Sequence, residues 1–378
     1  MNDRHLQTLS VPIVAGSLGG APFAFRCDRA DLLSYARAHL KRLTAESGED
    51  PAVRTVLRWH EGQPSTERPV LGVERTPLEW VDRDVYIDAE RLWWFRVDDL
   101  RDLYLQFTWK DGRLTVEGDF YFRLGNSEVS DRLRRLRQWR RRHALRQRRF
   151  PTLIAYLVYY PCWWWLEHTR GLHPIHAAGV QIGADVVLLG GASGVGKSTL
   201  AVALAAMPGA KLLSDSFVLH SGTNVVAVPE PVLLDAWGCK WLGKAADLLR
   251  PMGSRYTLDR AGYDLACEHL GTVGRATLLV LPRRASKPYV RPLPAREAHR
   301  RLSAIDLIIN DLRRYWAFAA VLEQLVPGGL VVRRETELAR LTAGVRCYEV
   351  GVSPEMTRAA AMDVIMRLLH ETPLRALG

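Results

Sequence analysis

Val186-Val187-Leu188-Leu189-Gly190-Gly191-Ala192-Ser193-Gly194-Val195-Gly196-Lys197-Ser198-Thr199-Leu200 governs the reading of this chain. Gly191 to Ser198 satisfies the phosphate-loop pattern GxxxxGK[ST]. Its flanks also fit, with an apolar strand entering and the helix-forming run Thr199–Ala206 leaving. Gly191, Gly194 and Gly196 let the backbone curl with its N–H groups turned inward around an anion. The helix that follows aims its first amides at the same point. Lys197 supplies a point charge for the β- and γ-phosphates, and the Ser198 hydroxyl is a ligand for Mg²⁺. The nucleotide-contacting set is therefore Gly191, Ala192, Ser193, Gly194, Val195, Gly196, Lys197, Ser198 and Thr199.

Other phosphate-loop classes fit less well. No N-K-x-D base reader of a GTPase is present, and Asp259-Arg260-Ala261-Gly262 is a lone DxxG. There is no LSGGQ-like helix of a transporter ATPase. No long apolar strand ends in Asp-Glu, as motor ATPases require. The nearest acid stands in Leu212-Leu213-Ser214-Asp215-Ser216, a short way past the loop, where a kinase can use it to orient a hydroxyl and Mg²⁺.

His176-Ala177-Ala178-Gly179-Val180, the loop, and Leu213-Ser214-Asp215-Ser216 together resemble the C-terminal domain of HPr kinase/phosphorylase. They are more similar still to its divergent relatives, which include kinases from peptide natural-product (lasso peptide) gene clusters. Pro229-Glu230-Pro231-Val232-Leu233-Leu234 and Val345-Arg346-Cys347-Tyr348-Glu349-Val350 add to the resemblance, which spans roughly Leu172 to Leu369. It implies ATP-dependent phosphorylation of a hydroxyl, most often a serine of a protein or peptide, with ATP and Mg²⁺ as cofactors. Carried over by position, Lys197 and Ser198 hold phosphate and metal. Asp215 activates the acceptor and shares the metal, and His176 lies near the transferring phosphate. Two departures stand out. Ser216 replaces the second aspartate of the family's pair. The glutamate–arginine–glycine signature of phosphorolysis is absent, so neither the reverse activity nor HPr itself as substrate is expected.

Two further classes stay open: a kinase for a small-molecule hydroxyl (a sugar, an amino acid or an antibiotic-like compound), and a non-catalytic nucleotide-responsive binding protein. Arg250, Arg255 and Arg260 are candidates for charge neutralisation, with loop solvation as the competing reading. Asp111, Asp235, Glu335 and Glu337 read as structural.

The rest of the chain frames this site. Its 378 residues are 48% hydrophobic and 25% charged, which excludes a disordered or fibrous protein. The start lacks the charged and apolar runs of a signal peptide. Five scattered cysteines (Cys27, Cys162, Cys239, Cys267, Cys347) without CxxC spacing support neither a disulfide framework nor a zinc knuckle, so a cytoplasmic location is expected. The net charge of +11 is concentrated: Arg132–Arg149 holds ten arginines and no acid, which leaves +1 for the remainder. A protein-wide electrostatic attraction for nucleic acid is not expected. The arginine segment reads as a solvated helix, as a dock for an acidic partner, peptide or phosphate, or as a membrane or nucleic-acid surface. Phe150–Leu166 is uncharged but broken by Pro151 and Pro161, too short for the ~20 residues of a spanning helix. It is expected as a buried helix, with peripheral membrane association left open.

The fold class expected is α/β, an HPr kinase-like phosphate-loop domain at 171–378, preceded by a smaller α+β domain at 1–130 that can recognise substrate. A basic helix and an apolar connecting segment fill 131–170. In the first part, Asp28 is expected to cap a helix from Arg29 to Ala45 ended by Gly48. Leu103–Trp109 and Leu114–Phe122 are expected to pair across the Asp111-Gly112 turn. Residues 50–83 show no clear pattern. In the second part, short apolar runs (Asp185–Leu189, Lys211–Val218, Thr277–Leu281, Val345–Val350) alternate with helical ones (Thr199–Met207, Ala295–Ile309, Pro354–Leu369). The acceptor and the oligomeric state, homo-oligomer included, are not written in the sequence.

Overall fold

The computed structural model describes residues 13–44, 50–64, 79–97, 99–123, 145–255, 260–353 and 355–371. These form a mixed α/β protein with several sheets. They divide into two compact units, Met1–Trp165 with Ala317–Gly328, and Leu166–Trp316 with Gly329–Gly378. The arginine segment 132–149 lies largely outside the described residues, as do Gly48 and Asp259.

The first unit is built on an eight-stranded sheet of β1 (Ile13–Leu18), β2 (Ala21–Cys27), β3 (Val53–Glu61), β4 (Glu79–Asp82), β5 (Val85–Ile87), β6 (Arg91–Trp94), β7 (Leu103–Lys110) and β8 (Arg113–Phe122), in the order β1-β2-β3-β8-β7-β6-β5-β4. The pairs β2–β3 and β3–β8 are parallel; the rest are antiparallel. The expected hairpin is present, with Lys110 opposite Arg113. Asp111 and Gly112 both take positive φ (51° and 73°), the pairing that a tight two-residue turn requires. Residues 53–61, unreadable at first sight, form the interior strand β3. Val53, Thr55, Leu57 and Trp59 face inward while Arg54 is exposed.

Helix α1 runs only over Ala30–His39, and Asp28 does not cap it. The Asp28 Oδ1 atom instead accepts the Trp59 backbone N–H at 2.9 Å, which ties the β2 end to β3. The apolar stretch is a buried helix, as expected. It comprises α2 (Phe150–Ile154), a π-helical turn (Ala155–Tyr159) and α3 (Tyr160–Arg170). Ala317–Gly328 joins this unit from far along the chain because the Phe318 ring packs against Phe107, Tyr156 and Tyr160. Among the described residues no helix is long and apolar enough to cross a membrane.

The second unit carries the quoted stretch. Its large sheet contains β9 (His173–Ile175), β10 (Ala177–Ile182), β11 (Asp185–Gly190), β12 (Lys211–Ser214), β13 (Val218–Ser221) and β14 (Asn224–Ala227). A three-stranded antiparallel sheet follows, of β15 (Val232–Leu234), β16 (Leu249–Arg255) and β17 (Ala261–Leu265). The long β18 (Val273–Arg284), β19 (Tyr289–Pro292) and β20 (Arg346–Val352) complete the large sheet. β11, β18 and β20 are parallel neighbours, and Val186–Leu189 of β11 and Leu278–Leu281 of β18 are unbroken runs of Val and Leu, as befits strands covered on both faces. One face is covered by α4 (Lys197–Ala205) with α9 (Arg358–His370), the other by α6 (Ala295–Ile308) with α8 (Leu330–Gly344). Between them lie α5 (Ala236–Leu242) and α7 (Asn310–Leu325) in chain order. The run Lys211–Val218, read as one apolar segment, is two strands broken at Asp215 and Ser216.

Glu167 is fully buried. It accepts hydrogen bonds from the Tyr315 hydroxyl and the Arg334 guanidinium (3.1 Å) and pairs with His173 Nδ1 at 2.7 Å. The Arg334 charge and the His173 contact hold its carboxyl below the usual range against the opposing effect of burial.

One close approach in the first unit gives a direct test. A Cβ on Gly16 would lie 2.0 Å from the Leu43 carbonyl oxygen, a backbone atom that cannot swing away. Gly16→Ala is expected to destabilise the first unit by about 1–3 kcal/mol. Urea unfolding followed by tryptophan fluorescence would show the transition shifted down; an unchanged midpoint would contradict this packing.

Candidate functional site

The β11 strand delivers the chain to Gly190 at the sheet's C-terminal edge, where a parallel α/β sheet places its ligands. A Cβ on Gly190 would sit 2.8 Å from the Cδ2 atoms of both Leu281 and Leu302, so glycine lets these side chains close over the end of the strand. Gly191, Gly194 and Gly196 then adopt φ of 137°, 79° and 94°, conformations that L side chains rarely take. The turn closes on α4, whose N-terminus has no side-chain cap. Its first amides are thus left for an external acceptor.

A cavity of about 820 Å³ opens over this turn. Its lining includes Ser193 to Leu200, His176, Asp215, Ser216 and Arg260. Most of the sequence-derived set is therefore brought to one place. Gly191 and Ala192 stand behind the wall, where their carbonyls accept the Lys197 ammonium at 2.7 and 2.9 Å. Arg250 is exposed on β16 and is not among the lining residues, so that candidate is corrected. The Arg255 side chain lies outside the described residues. Asp111 has its turn role. Asp235 caps α5 by accepting the Gly238 N–H at 2.6 Å. Glu335 pairs with His299, and Glu337 accepts the Gly222 N–H.

Three ionisable groups at the cavity floor are almost entirely out of water. Asp215 is 1% exposed, Lys197 6% and His176 7%. Burial raises the Asp215 carboxyl above its usual range. The Ser198 hydroxyl, the Leu233 amide and the Lys197 and Arg260 cations partly counter this. Its Oδ2 accepts the Leu233 N–H at 3.0 Å, while Oδ1 is buried without a hydrogen bond in the protein. Burial lowers the Lys197 ammonium to about 8; Asp215 opposes that shift and Arg260 adds to it. Burial and the Lys197 charge lower His176 to about 3, so its ring is neutral at physiological pH. Neither His176 ring nitrogen makes a well-formed hydrogen bond in the protein, although the nearby Ser216 backbone slightly favours the charged ring. Buried polar atoms left open like these are costly unless a ligand meets them.

Several contributors escaped the sequence reading. Arg284 Nη2 donates to the Gly194 carbonyl at 2.8 Å and steadies the tip of the turn. Asp306 Oδ1 accepts the His176 backbone N–H at 3.2 Å from 130 residues away. Glu230 is pushed up to about 8 by burial and by the Asp311 and Asp215 carboxylates, which adds a second acid near Asp215. Trp237, Trp241, Val352, Ser353 and Met356 also line the cavity. Apart from Glu230, which stands in the Pro229–Leu234 stretch, none carries a motif quoted from the sequence.

No protein-family model matches the chain, and no curated protein is similar to it. Among solved structures it is similar to the Hpr(Ser) kinase/phosphatase from Coxiella burnetii, 12% identical over 52% of this chain and 93% of that one, with a TM-score of 0.24. A likeness that weak leaves the chemistry to be argued from the residues themselves.

The arrangement offers an uncapped helix N-terminus, a buried cation, a hydroxyl and a buried carboxylate of raised basicity on the lining of one cavity. Such a set can neutralise a polyanion and accept a proton beside it. Because the Asp215 charge supports the Lys197 ammonium, Asp215→Asn is expected to lower the Lys197 pKa below about 8. The ¹³Cε shift of Lys197 followed against pH reads this directly. A midpoint that stays put or rises would separate the two groups electrostatically.

Proposed function

We propose that the chain is an ATP-dependent kinase that transfers the γ-phosphate to a hydroxyl. The observation that carries this reading is the open Oδ1 of buried Asp215 beside Lys197 and Ser198 at the start of α4. The acceptor class we assign, a serine of a protein or peptide, follows the sequence resemblance of His176–Val180, Gly191–Ser198 and Leu213–Ser216.

In this reading the amides of 194–199 and the Lys197 ammonium embrace the β- and γ-phosphates. The donor set also fits Mg²⁺: a hydroxyl and a carboxylate oxygen, both hard ligands, with the remaining positions left to phosphate and water. Ser198 and Asp215 would hold the ion, which when bound neutralises phosphate charge. Among the described residues no cluster of three or more His, Cys, Asp or Glu is present. Asp215 accepts the proton of the acceptor hydroxyl. That oxygen bonds to the γ-phosphorus as the bond from phosphorus to the β–γ bridging oxygen breaks, and ADP departs with the electron pair. Neutral His176 is placed to donate one hydrogen bond to a phosphate oxygen without adding charge. Arg260 supplies a further cation at the rim.

Lys197→Ala is expected to abolish transfer. Asp215→Asn is expected to retain ATP and to slow transfer by roughly 10²–10⁴-fold, the usual worth of a positioned base. Transfer of ³²P from γ-labelled ATP to candidate acceptor peptides measures both. Full activity of Lys197→Ala would overturn the reading, and lost ATP affinity with high residual turnover in Asp215→Asn would make Asp215 a binding residue alone. The sign of the pH dependence follows from the Lys197 shift. kcat/KM for ATP is expected to fall as pH rises through about 8, where the free protein loses that ammonium charge.

A further inference from the structure

Lys197, Ser198 and Asp215 account for only part of the cavity's lining. Another part is apolar, with Trp237 and Trp241 of α5 and Val352, Met356 and Ala361. Trp237 is 58% exposed there. A single exposed apolar side chain needs no explanation, but this one is held in place. Its ring lies at 26° to that of Trp241, with centroids 6.4 Å apart. Trp241 is fixed in turn, its Nε1 donating to the Met356 carbonyl at 3.1 Å. The helix carrying both is seated against the nucleotide loop's own helix. A Cβ on Gly238, the residue after Trp237, would come 3.1 Å from Thr199 Oγ1. The aromatic wall is thus one residue removed from the α4 N-terminus.

The size of the cavity points the same way. At about 820 Å³ it falls within the ~300–1,000 Å³ of pockets that enclose whole ligands, far more than a phosphate group needs. A triphosphate anchored on the loop continues into a ribose and a planar heteroaromatic base. An exposed indole lining the same cavity, beside the helix that follows the loop, presents the π-face on which such a base stacks.

We propose that Trp237 is the base platform of this cavity, stacking the purine of the nucleotide whose phosphates lie on the Gly191–Ser198 turn. The assignment rests on the phosphate-binding reading of that turn and extends it to the other end of the ligand. Because every purine has a π-face, stacking alone discriminates weakly between bases. The platform therefore contributes affinity to adenine and guanine nucleotides alike.

Calorimetric titration of Mg–ATP, Mg–GTP and Mg–tripolyphosphate into the wild-type chain, Trp237→Ala and Trp237→Phe tests this. Trp237→Ala is expected to weaken both nucleotides roughly tenfold to a hundredfold and to leave tripolyphosphate unchanged. Trp237→Phe is expected to keep most of the nucleotide affinity. Unaltered tripolyphosphate binding also reports that the substituted protein is folded around its loop. If Trp237→Ala binds ATP as the wild type does while tripolyphosphate still binds, the platform is overturned, the phosphate reading survives, and the aromatic wall faces the acceptor. Equal losses for ATP and tripolyphosphate would also overturn it, making Trp237 a support of the loop. If the wild type binds none of the three ligands, the phosphate reading falls and the platform falls with it.

Discussion

A lysine ammonium and an aspartate carboxylate share a floor that water barely reaches. Each charge is costly there by itself, and the two shifts, Asp215 upward and Lys197 down to about 8, record that cost. Each partly supports the other, and both leave capacity unused. Lys197 turns back onto two loop carbonyls, and one Asp215 oxygen has no hydrogen bond in the protein. A fold selected for stability alone has little use for such a pair. A site that must receive a polyanion and then take up a proton uses both halves.

The rest of the second unit serves to hold this pair together. Lys197 is set by the glycine turn between β11 and α4, and Asp215 by the break between β12 and β13. β10 lies between the two strands, pairing Gly179 with Ser214 on one side and Leu188 on the other. A Cβ at Gly179 would come 3.1 Å from Val218, so the sheet closes tightly at the point that brings the two segments to one edge. His176, one residue before β10, arrives at the same edge, and Asp306 holds its backbone from α6. The parallel core of β11, β18 and β20 carries Pro282, Arg284 and Val352 to the cavity rim.

What was legible in the sequence followed from local stereochemistry. The turn at 191–196 could be read because three backbone positions demand glycine and the lysine must follow at fixed spacing. The Asp111-Gly112 hairpin could be read for the same reason. Asp215 was legible from its distance along the chain to the loop and from the resemblance of Leu213–Ser216, and its burial was not. What escaped depends on long-range pairing. An interior strand of the first sheet is β3, whose alternation Val53, Thr55, Leu57, Trp59 is visible in hindsight. Its parallel partners β2 and β8 leave no local mark, because a crossover decides them. Asp28 looked like a helix cap because its type suits that role, yet a strand 31 residues away claims its carboxylate. Asp306, Arg284 and Trp237 have no motif around them and gain meaning only from what the sheet sets beside them.

The central claim is that the 191–198 turn holds a triphosphate with Asp215 facing its last phosphate. A crystal structure with Mg²⁺ and a non-hydrolysable ATP analogue tests this most directly. The account requires the Lys197 ammonium to leave the Gly191 and Ala192 carbonyls for the β- and γ-phosphates, with Asp215 Oδ1 facing the metal or the in-line position beyond the γ-phosphorus. A triphosphate bound elsewhere, or a turn that still holds Lys197 against its own carbonyls at saturating nucleotide, would contradict it.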